Sequence, residues 1–569
     1  MKRSFWLSTF AFLLGAFLIF ARLGALPLLQ PDEGRNAEVA REMNQSGAWL
    51  VPTYNGLPYL DKPSFYFKTV ALSFALFGET ETAARLSSAL FGFALLAMAF
   101  AFCRREYTER TAALAVMIVA TAPLYLAFSR LVIFDMTLAF FVCGAIFAGY
   151  IAERTEGRSR RLWYSLGAVL AALATLVKGP VGFIVPGLVL GVFNFLDGRP
   201  GALKRLLAPV NIVVFFAITL PWFLGVNRLH RDFAYYGIVE ESFHRYTTTE
   251  FRRTGPFYYY VPWIVAGVFP WSVLLPESAV AAWRARRRWA SADRLFVVWA
   301  IVVVVFFSMS KSKRPDYILS AIVALGALTA RGFGFALEDP SGRAARVVQH
   351  GAGALAVVGM AAAGCLVVAA FHPQGVQGSL KLHDDESGRI TALAIRLAVV
   401  LLLAAAAAAV AAWRRNPRTA VAVFVLLPLA LLTVGFDGIR LYADAKSSRA
   451  IADRLPALPP RSEIACLQCF PTGLPFYRRQ LVTVLTKDGD ELTSNYIVFM
   501  LKKTKPWPPG IVPLDERDRW LATRDHPVYL LARRNAIADL ESIAATRGVP
   551  VTNLGAGWSG ALLPASGGP

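Results

Sequence analysis

The sequence predicts a polytopic α-helical membrane protein of about thirteen spans that ends in a small extracytoplasmic α/β domain. Three observations predict it. Of 569 residues, 56% are hydrophobic and only 17% are Asp, Glu, Lys or Arg, against roughly 25% charged in an average soluble domain. The apolar residues gather into runs long enough to cross a bilayer, which needs about 20 residues. After Phe436 the pattern changes to short apolar strands alternating with helical stretches. So little charge could not keep this much apolar side chain in water, and the same composition excludes disorder and coiled coil.

The apolar runs fall near 4–21, 82–103, 111–127, 136–152, 162–177, 180–196, 207–226, 258–277, 295–309, 317–330, 350–371, 391–411 and 419–436. Met1-Lys2-Arg3 precedes the first without a small-residue cleavage site after it, so that run reads as a retained span. The stretch 63–77 is read as a helix lying in the interface: it opens with Pro63, carries Lys68 and is short for a crossing. Five cysteines are too scattered for a disulfide framework or a zinc module.

Charge sets the orientation. The formal net charge of +21 would suggest nucleic acid in a soluble protein; here loops that set topology account for it. With 63–77 outside the membrane, the loops on one side hold 23 Lys and Arg in 69 residues, and those on the other hold 17 in 127. The positive-inside rule therefore places the N-terminus in the cytoplasm and the C-terminus outside. Residues 1–436 read as the membrane domain, with outer loops 22–81 and 227–257, and residues 437–569 as the outer α/β domain. Strands are expected at Glu463–Leu467, Leu481–Leu485, Tyr496–Leu501 and Pro527–Ala532, and helices at Ala443–Leu455 and Arg534–Ala545. The tail carries no P-loop and no G-x-S-x-G, so no chemistry is assigned to it.

The awkward charges fall on the outer side. They are Asp32-Glu33-Gly34-Arg35 after the first span, Asp61-Lys62-Pro63 before the interfacial helix, Arg130 to Asp135, Lys178-Gly179-Pro180, and Ser310-Lys311-Ser312-Lys313-Arg314-Pro315-Asp316-Tyr317. A charge at the bilayer centre costs ~2.5–3.5 kcal/mol on insertion scales, so five such clusters imply an outward-facing polar cavity. Lys62, Lys178, Lys311, Lys313 and Arg35 suit a phosphate at the membrane surface. Asp32, Asp61 and Asp135 suit hydroxyls, amines, a metal or general-base work. The loop 227–257 adds Arg228, Arg231, Arg245, Arg252 and Arg253 on the side where the topology rule disfavours them. An anionic lipid substrate accounts for the set. Structural rivals stand beside these readings: Asp32 and Glu33 as helix caps, Asp135 as the partner of Arg130, and Lys178 snorkelling to the interface. His230 and His244 read as loop histidines, and Cys466 with Cys469 is open between a disulfide and no role.

In this order the motifs are similar to those of the bacterial aminoarabinose transferases. More broadly they resemble the protein O-mannosyltransferase-like GT-C glycosyltransferases of glycosyltransferase family 83. The resemblance rests on Asp32 to Glu38, Leu60 to Pro63, Arg130 to Asp135, Lys178 to Pro180, Pro256 to Tyr260 and Ser310 to Lys313. It implies a GT-C fold in the bacterial inner membrane, with active site and tail facing the periplasm. It also implies catalytic roles for Asp32 and Asp135, and donor or acceptor binding by Arg35, Asp61, Lys62, Lys178 and Tyr317. Arg245, Arg252, Arg253, Lys311 and Lys313 are expected to neutralise phosphate. Some relatives place a histidine just before the Pro-aromatic run to bind a divalent metal with the acid at Asp61; here that stretch, Phe251 to Gly255, has none, so no cofactor is assigned and a divalent cation at Asp61 stays open. The expected reaction is inverting transfer of a sugar from a polyprenyl-phosphate carrier to a lipid or other envelope acceptor. The rival is a lipid or lipid-linked-sugar transporter, for which an internal repeat would be expected, and none is visible.

Overall fold

A computed structural model describes residues 2–244, 254–380, 382 and 386–566. Among them, nine helices are long and apolar enough to cross a membrane, or eleven if each of two bent pairs counts as one span. Each of the thirteen expected runs coincides with a helix or a bent pair. Two of those helices, Phe5–Phe20 and Val181–Leu196, are shorter than the nine, as is the interfacial stretch Phe65–Phe77. The chain divides into two compact units, residues 1–23, 86–373 and 388–438 in one and residues 24–85, 374–387 and 439–569 in the other.

Among the described residues, the first unit is built of helices, with one isolated bridge between Thr254 and Ser312. Its bends have local causes. Pro123, lacking an N–H, breaks Glu109–Thr121 from Pro123–Ser129 at 72°, and Pro270 lies at the 114° break between Tyr260–Gly267 and Trp271–Arg284. The helix Gly157–Lys178 turns back into Val181–Leu196 through Gly179, whose φ of +84° favours glycine. Gly182 then lets the two backbones touch: a Cβ there would stand 2.4 Å from the carbonyl carbon of Ala174. That close hairpin fixes the end of the helix that carries Lys178. Arg130 donates to the carbonyls of Leu18, Ile19 and Ala21 at 2.6, 3.0 and 2.8 Å, closing the C-terminal end of the first helix. The rival pairing of Asp135 with Arg130 gives way to one between Asp135 and Lys178.

The second unit is built on a sheet. Strands β1 (Thr53–Tyr54) and β2 (Leu57–Pro58) form a hairpin whose turn residues Asn55 and Gly56 both have positive φ, the Asn-Gly signature of a tight hairpin. Strands β3 (Glu463–Leu467), β4 (Thr483–Thr486), β5 (Ile511–Pro513), β6 (Val528–Arg533), β7 (Thr552–Gly555) and β8 (Trp558–Leu563) form one sheet in the order β5-β4-β3-β6-β8-β7. The first four in that order are parallel; β8 and β7 are antiparallel additions. Leu467, Leu485, Leu530, Leu540 and Leu563 fill its core with almost no exposure. The Asn55 side chain bonds both the N–H and the carbonyl of Val482, so the hairpin is tied to the sheet. Gly555-Ala556-Gly557-Trp558-Ser559-Gly560 has the spacing of a dinucleotide fingerprint but forms the β7–β8 turn, not the strand-to-helix turn that binding needs.

One expected strand is a helix. Tyr496–Leu501 lies inside the helix Asn495–Lys503, where Ser494 caps the Ile497 N–H and Lys502 and Lys503 occupy the last turn. Caps at both ends outweigh an apolar run that suits a strand equally well. The helix expected over Ala443–Leu455 is interrupted: one helix ends at Ala445 and the next is Arg449–Arg454.

Candidate active site

In the helical unit, four charges form a buried alternating chain. The Lys178 ammonium contacts Asp135 Oδ1 and lies 3.2 Å from Asp316 Oδ2, while Arg314 Nε donates to Asp316 Oδ1 at 2.9 Å. Asp135 and Asp316 are only 2% and 4% exposed. Two negative and two positive groups balance to no net charge, which is the condition under which buried ions are tolerated. Aromatic faces complete the surroundings of the cation, with the rings of Tyr317 and Phe134 at 4.7 and 5.2 Å from Lys178 Nζ. Asp135 Oδ2 is buried without a hydrogen-bond partner, an unfilled acceptor beside the chain. Lys313 turns back to donate to the carbonyl of Ser310 at 2.5 Å, and desolvation, then Lys311, lowers its pKa. Lys311 is exposed.

In the sheet-containing unit, helix Asp32–Ser46 follows Pro31, which makes no side-chain cap bond. Asp32 pairs with Arg35 at 2.5 Å. The buried Arg35 guanidinium also donates to the carbonyl and hydroxyl of Thr493 at 2.7 and 3.0 Å, and its Nε is buried without a partner. Burial opposes its charge, but Tyr59, Asp32 and Asp61 outweigh burial and raise its pKa. Glu33 is fully buried and takes a forked pair of bonds from Arg85 at 2.9 and 2.8 Å, while Arg85 also holds the carbonyls of Leu26 and Pro27. Glu33 Oε2 accepts the Leu29 N–H as well. Glu38, buried against Arg41, has its pKa pushed up to about 7 by that burial.

Asp61 is drawn to a helix end. Its Oδ2 accepts the Asn495 N–H at 3.1 Å and its Oδ1 the Tyr496 N–H at 2.7 Å, the first donors of helix Asn495–Lys503. The Lys62 ammonium donates to the Asp61 carbonyl at 2.6 Å. A cation at Asp61 does not fit this arrangement, since both carboxylate oxygens face backbone donors, and no group of three His, Cys, Asp or Glu that could hold a metal occurs among the described residues. Arg245, Arg252 and Arg253 lie outside the described residues.

Sequence reasoning missed Asp316, Arg314 and Arg85. Asp316 and Arg314 stand in the quoted lysine-rich loop, where spacing alone does not separate them from the neighbouring lysines. Arg85 opens a spanning helix, where an arginine in an apolar run is itself a signal.

The comparisons agree with this architecture. A family model described as dolichyl-phosphate-mannose-protein mannosyltransferase matches residues 61–224. An undecaprenyl phosphate-alpha-4-amino-4-deoxy-L-arabinose arabinosyl transferase of Serratia proteamaculans is 32% identical over 57% of this chain and 59% of the relative. One from Aeromonas salmonicida is 30% identical over 61% and 63%. The chain thus spans about three-fifths of the length of these curated relatives. The crystal structure of ArnT from Cupriavidus metallidurans bound to undecaprenyl phosphate matches over 99% of both chains with a TM-score of 0.81 and 28% identity; its apo form matches as well. Fold and likeness together make the chain similar to membrane-embedded transferases that use a polyprenyl-phosphate carrier. Within that class the chain is ArnT-like, and the resemblance read from its motifs is borne out.

Proposed function

We propose that the protein is an inverting glycosyltransferase that moves a sugar from a polyprenyl-phosphate carrier to a lipid of the lipid A type, or to another envelope acceptor. The observation that carries the reading is the whole-length likeness to an ArnT crystallised with undecaprenyl phosphate. Thirteen spans follow if Phe5–Phe20 and Val181–Leu196 cross together with the nine long helices and the two bent pairs. On that count the N-terminus is cytoplasmic, and residues 1–436 and the α/β domain 437–569 have the roles expected of them, membrane catalysis and a periplasmic module.

In the reaction, an acceptor oxygen attacks the anomeric carbon, the bond from that carbon to the phosphate oxygen breaks, and the carrier phosphate leaves with the electron pair. Lys62, Lys311, Lys313 and the arginines of the 227–257 loop stabilise the charge gained by the phosphate. Arg35 holds Asp32 oriented. Asp32 takes the proton of an acceptor hydroxyl, or orients an acceptor that is already a phosphate, where no proton need move. Lys178, anchored by Asp316, orients Asp135 so that its open oxygen meets substrate, and Tyr317 walls that cation.

The test is transfer by purified protein from an undecaprenyl-phosphate sugar to lipid A, followed by mass spectrometry of the product. A mass increment equal to the donor's sugar, with loss of the donor, supports the reading. Relocation of unaltered donor or lipid across proteoliposome membranes, with no new glycoside, would support the transporter instead.

A further inference from the structure

A groove of about 720 Å³ runs beside β5 in the sheet-containing unit, lined by none of the site residues assigned above. That volume suits a ligand of one or two sugar rings. Its walls include the half-buried indoles of Trp507 and Trp520. Both are fixed in place: Trp507 Nε1 donates to the Leu501 carbonyl at 3.0 Å, and Trp520 packs on the sheet core with the Arg524 guanidinium 5.0 Å from its ring. Preset aromatic faces cost little ordering on binding and match the apolar faces of pyranose rings.

The backbone along this edge disfavours a peptide. β5 is an outer strand, but Pro506, Pro508, Pro509 and Pro513 offer no N–H for a ladder. Recognition therefore falls to side chains. Glu463 is already engaged by His526 at 3.0 Å, by Thr483 and by Arg524 at 3.7 Å. Lys487, Lys505 and Arg519, all exposed in the groove, have no ion-pair partner among the described residues. Unengaged cations beside two fixed indoles suit phosphate on a sugar, and the exposed Asp515 and Glu516 can accept from its hydroxyls.

We infer that this groove binds a phosphorylated saccharide, the headgroup chemistry of an anionic glycolipid acceptor. Its identity as the acceptor rests on the proposed transferase reading; the binding itself does not. Full-length protein in detergent is titrated with a soluble phosphorylated glucosamine disaccharide, its unphosphorylated form, inorganic phosphate and a hydrophobic peptide, read by saturation-transfer NMR and tryptophan fluorescence. The phosphorylated disaccharide should bind at least tenfold tighter than any of the other three. Lys505→Glu with Arg519→Glu should remove that preference while near-ultraviolet dichroism stays unchanged, and Trp507→Ala should weaken both sugars. Asp32→Asn, impaired in transfer on the proposed reading, should bind as the parent does, so failed transfer and failed groove binding are read separately. Equal binding of the two disaccharides, tighter binding of the peptide, phosphate binding as tight as the sugar phosphate, or indifference to charge reversal would each overturn the inference.

Discussion

Lys178 offers the sharpest test, because the ionic chain predicts an outcome that simple phosphate binding does not. Replacing it by methionine keeps the length and the apolar stem but removes the cation that joins Asp135 to Asp316. Breaking a buried ion pair by deleting one partner costs about 3–5 kcal/mol, since a charge is left uncompensated. Arg314 still engages Asp316 at 2.9 Å, so the burden falls on Asp135, and the lower part of that range is expected. Adding Asp135→Asn to Lys178→Met neutralises the carboxylate left uncompensated and should restore part of the loss. The coupling should be about 1–3 kcal/mol, within what contacting residues in one network show. The assay is a four-variant stability cycle on the purified protein, with donor affinity measured alongside. Were Lys178 held chiefly for the carrier phosphate, Lys178→Met would instead weaken donor binding by ~10–150-fold, the equivalent of one charge-assisted hydrogen bond, with stability untouched. Additive stabilities, within ~0.5 kcal/mol, would refute the chain.

Asp32→Asn should fold and bind donor normally while transfer falls ~10²–10⁴-fold if the acceptor is a hydroxyl; unchanged turnover in the purified variant removes Asp32 from catalysis. Asp61→Asn should cost about 1 kcal/mol in stability through weaker capping of helix Asn495–Lys503, with metal content unaltered by elemental analysis; a parallel loss of bound metal would reverse the assignment. His526 is raised above its ordinary pKa by Glu463 and then Asp525, so its stabilisation is full below about 6.5 and is lost as pH rises through the raised folded value. His526→Asn should flatten the fluorescence-monitored stability profile over that window, and an unchanged profile would sink the assignment. Reporters fused after Arg288 and after Arg461 should report opposite compartments; agreement between them would mean the span count is wrong by an odd number.

What the sequence made legible follows from what a local pattern can encode. Each spanning helix carries its own length of apolar residues, and so every expected run met a helix, including the bent pairs that Pro123 and Pro270 break. β3 was legible because Glu463–Leu467 is a short apolar run bounded by turn residues. Tyr496–Leu501 was not, because what makes it helical is partly the Asp61 carboxylate 434 residues away in sequence. No periodicity reports such a partner.

The same limit explains the charged clusters. Charges in apolar surroundings are costly, and that cost alone singled out Asp32, Arg35, Asp135 and Lys178 without any geometry. The pairing within those clusters was hidden, since Glu33 meets Arg85 across 52 residues and Lys178 meets Asp316 across 138. Cost marks a residue as needing a partner but does not distinguish a protein partner from a ligand. Asp61 makes the difference concrete: an acid beside a lysine reads as a ligand, yet its two oxygens meet backbone donors of a helix. Asp135 stands on the other side of that line, because its neighbours engage one oxygen and leave Oδ2 buried with no hydrogen-bond partner. A buried acceptor that the chain's own donors do not reach is costly, and on the proposed reading a substrate donor meets it.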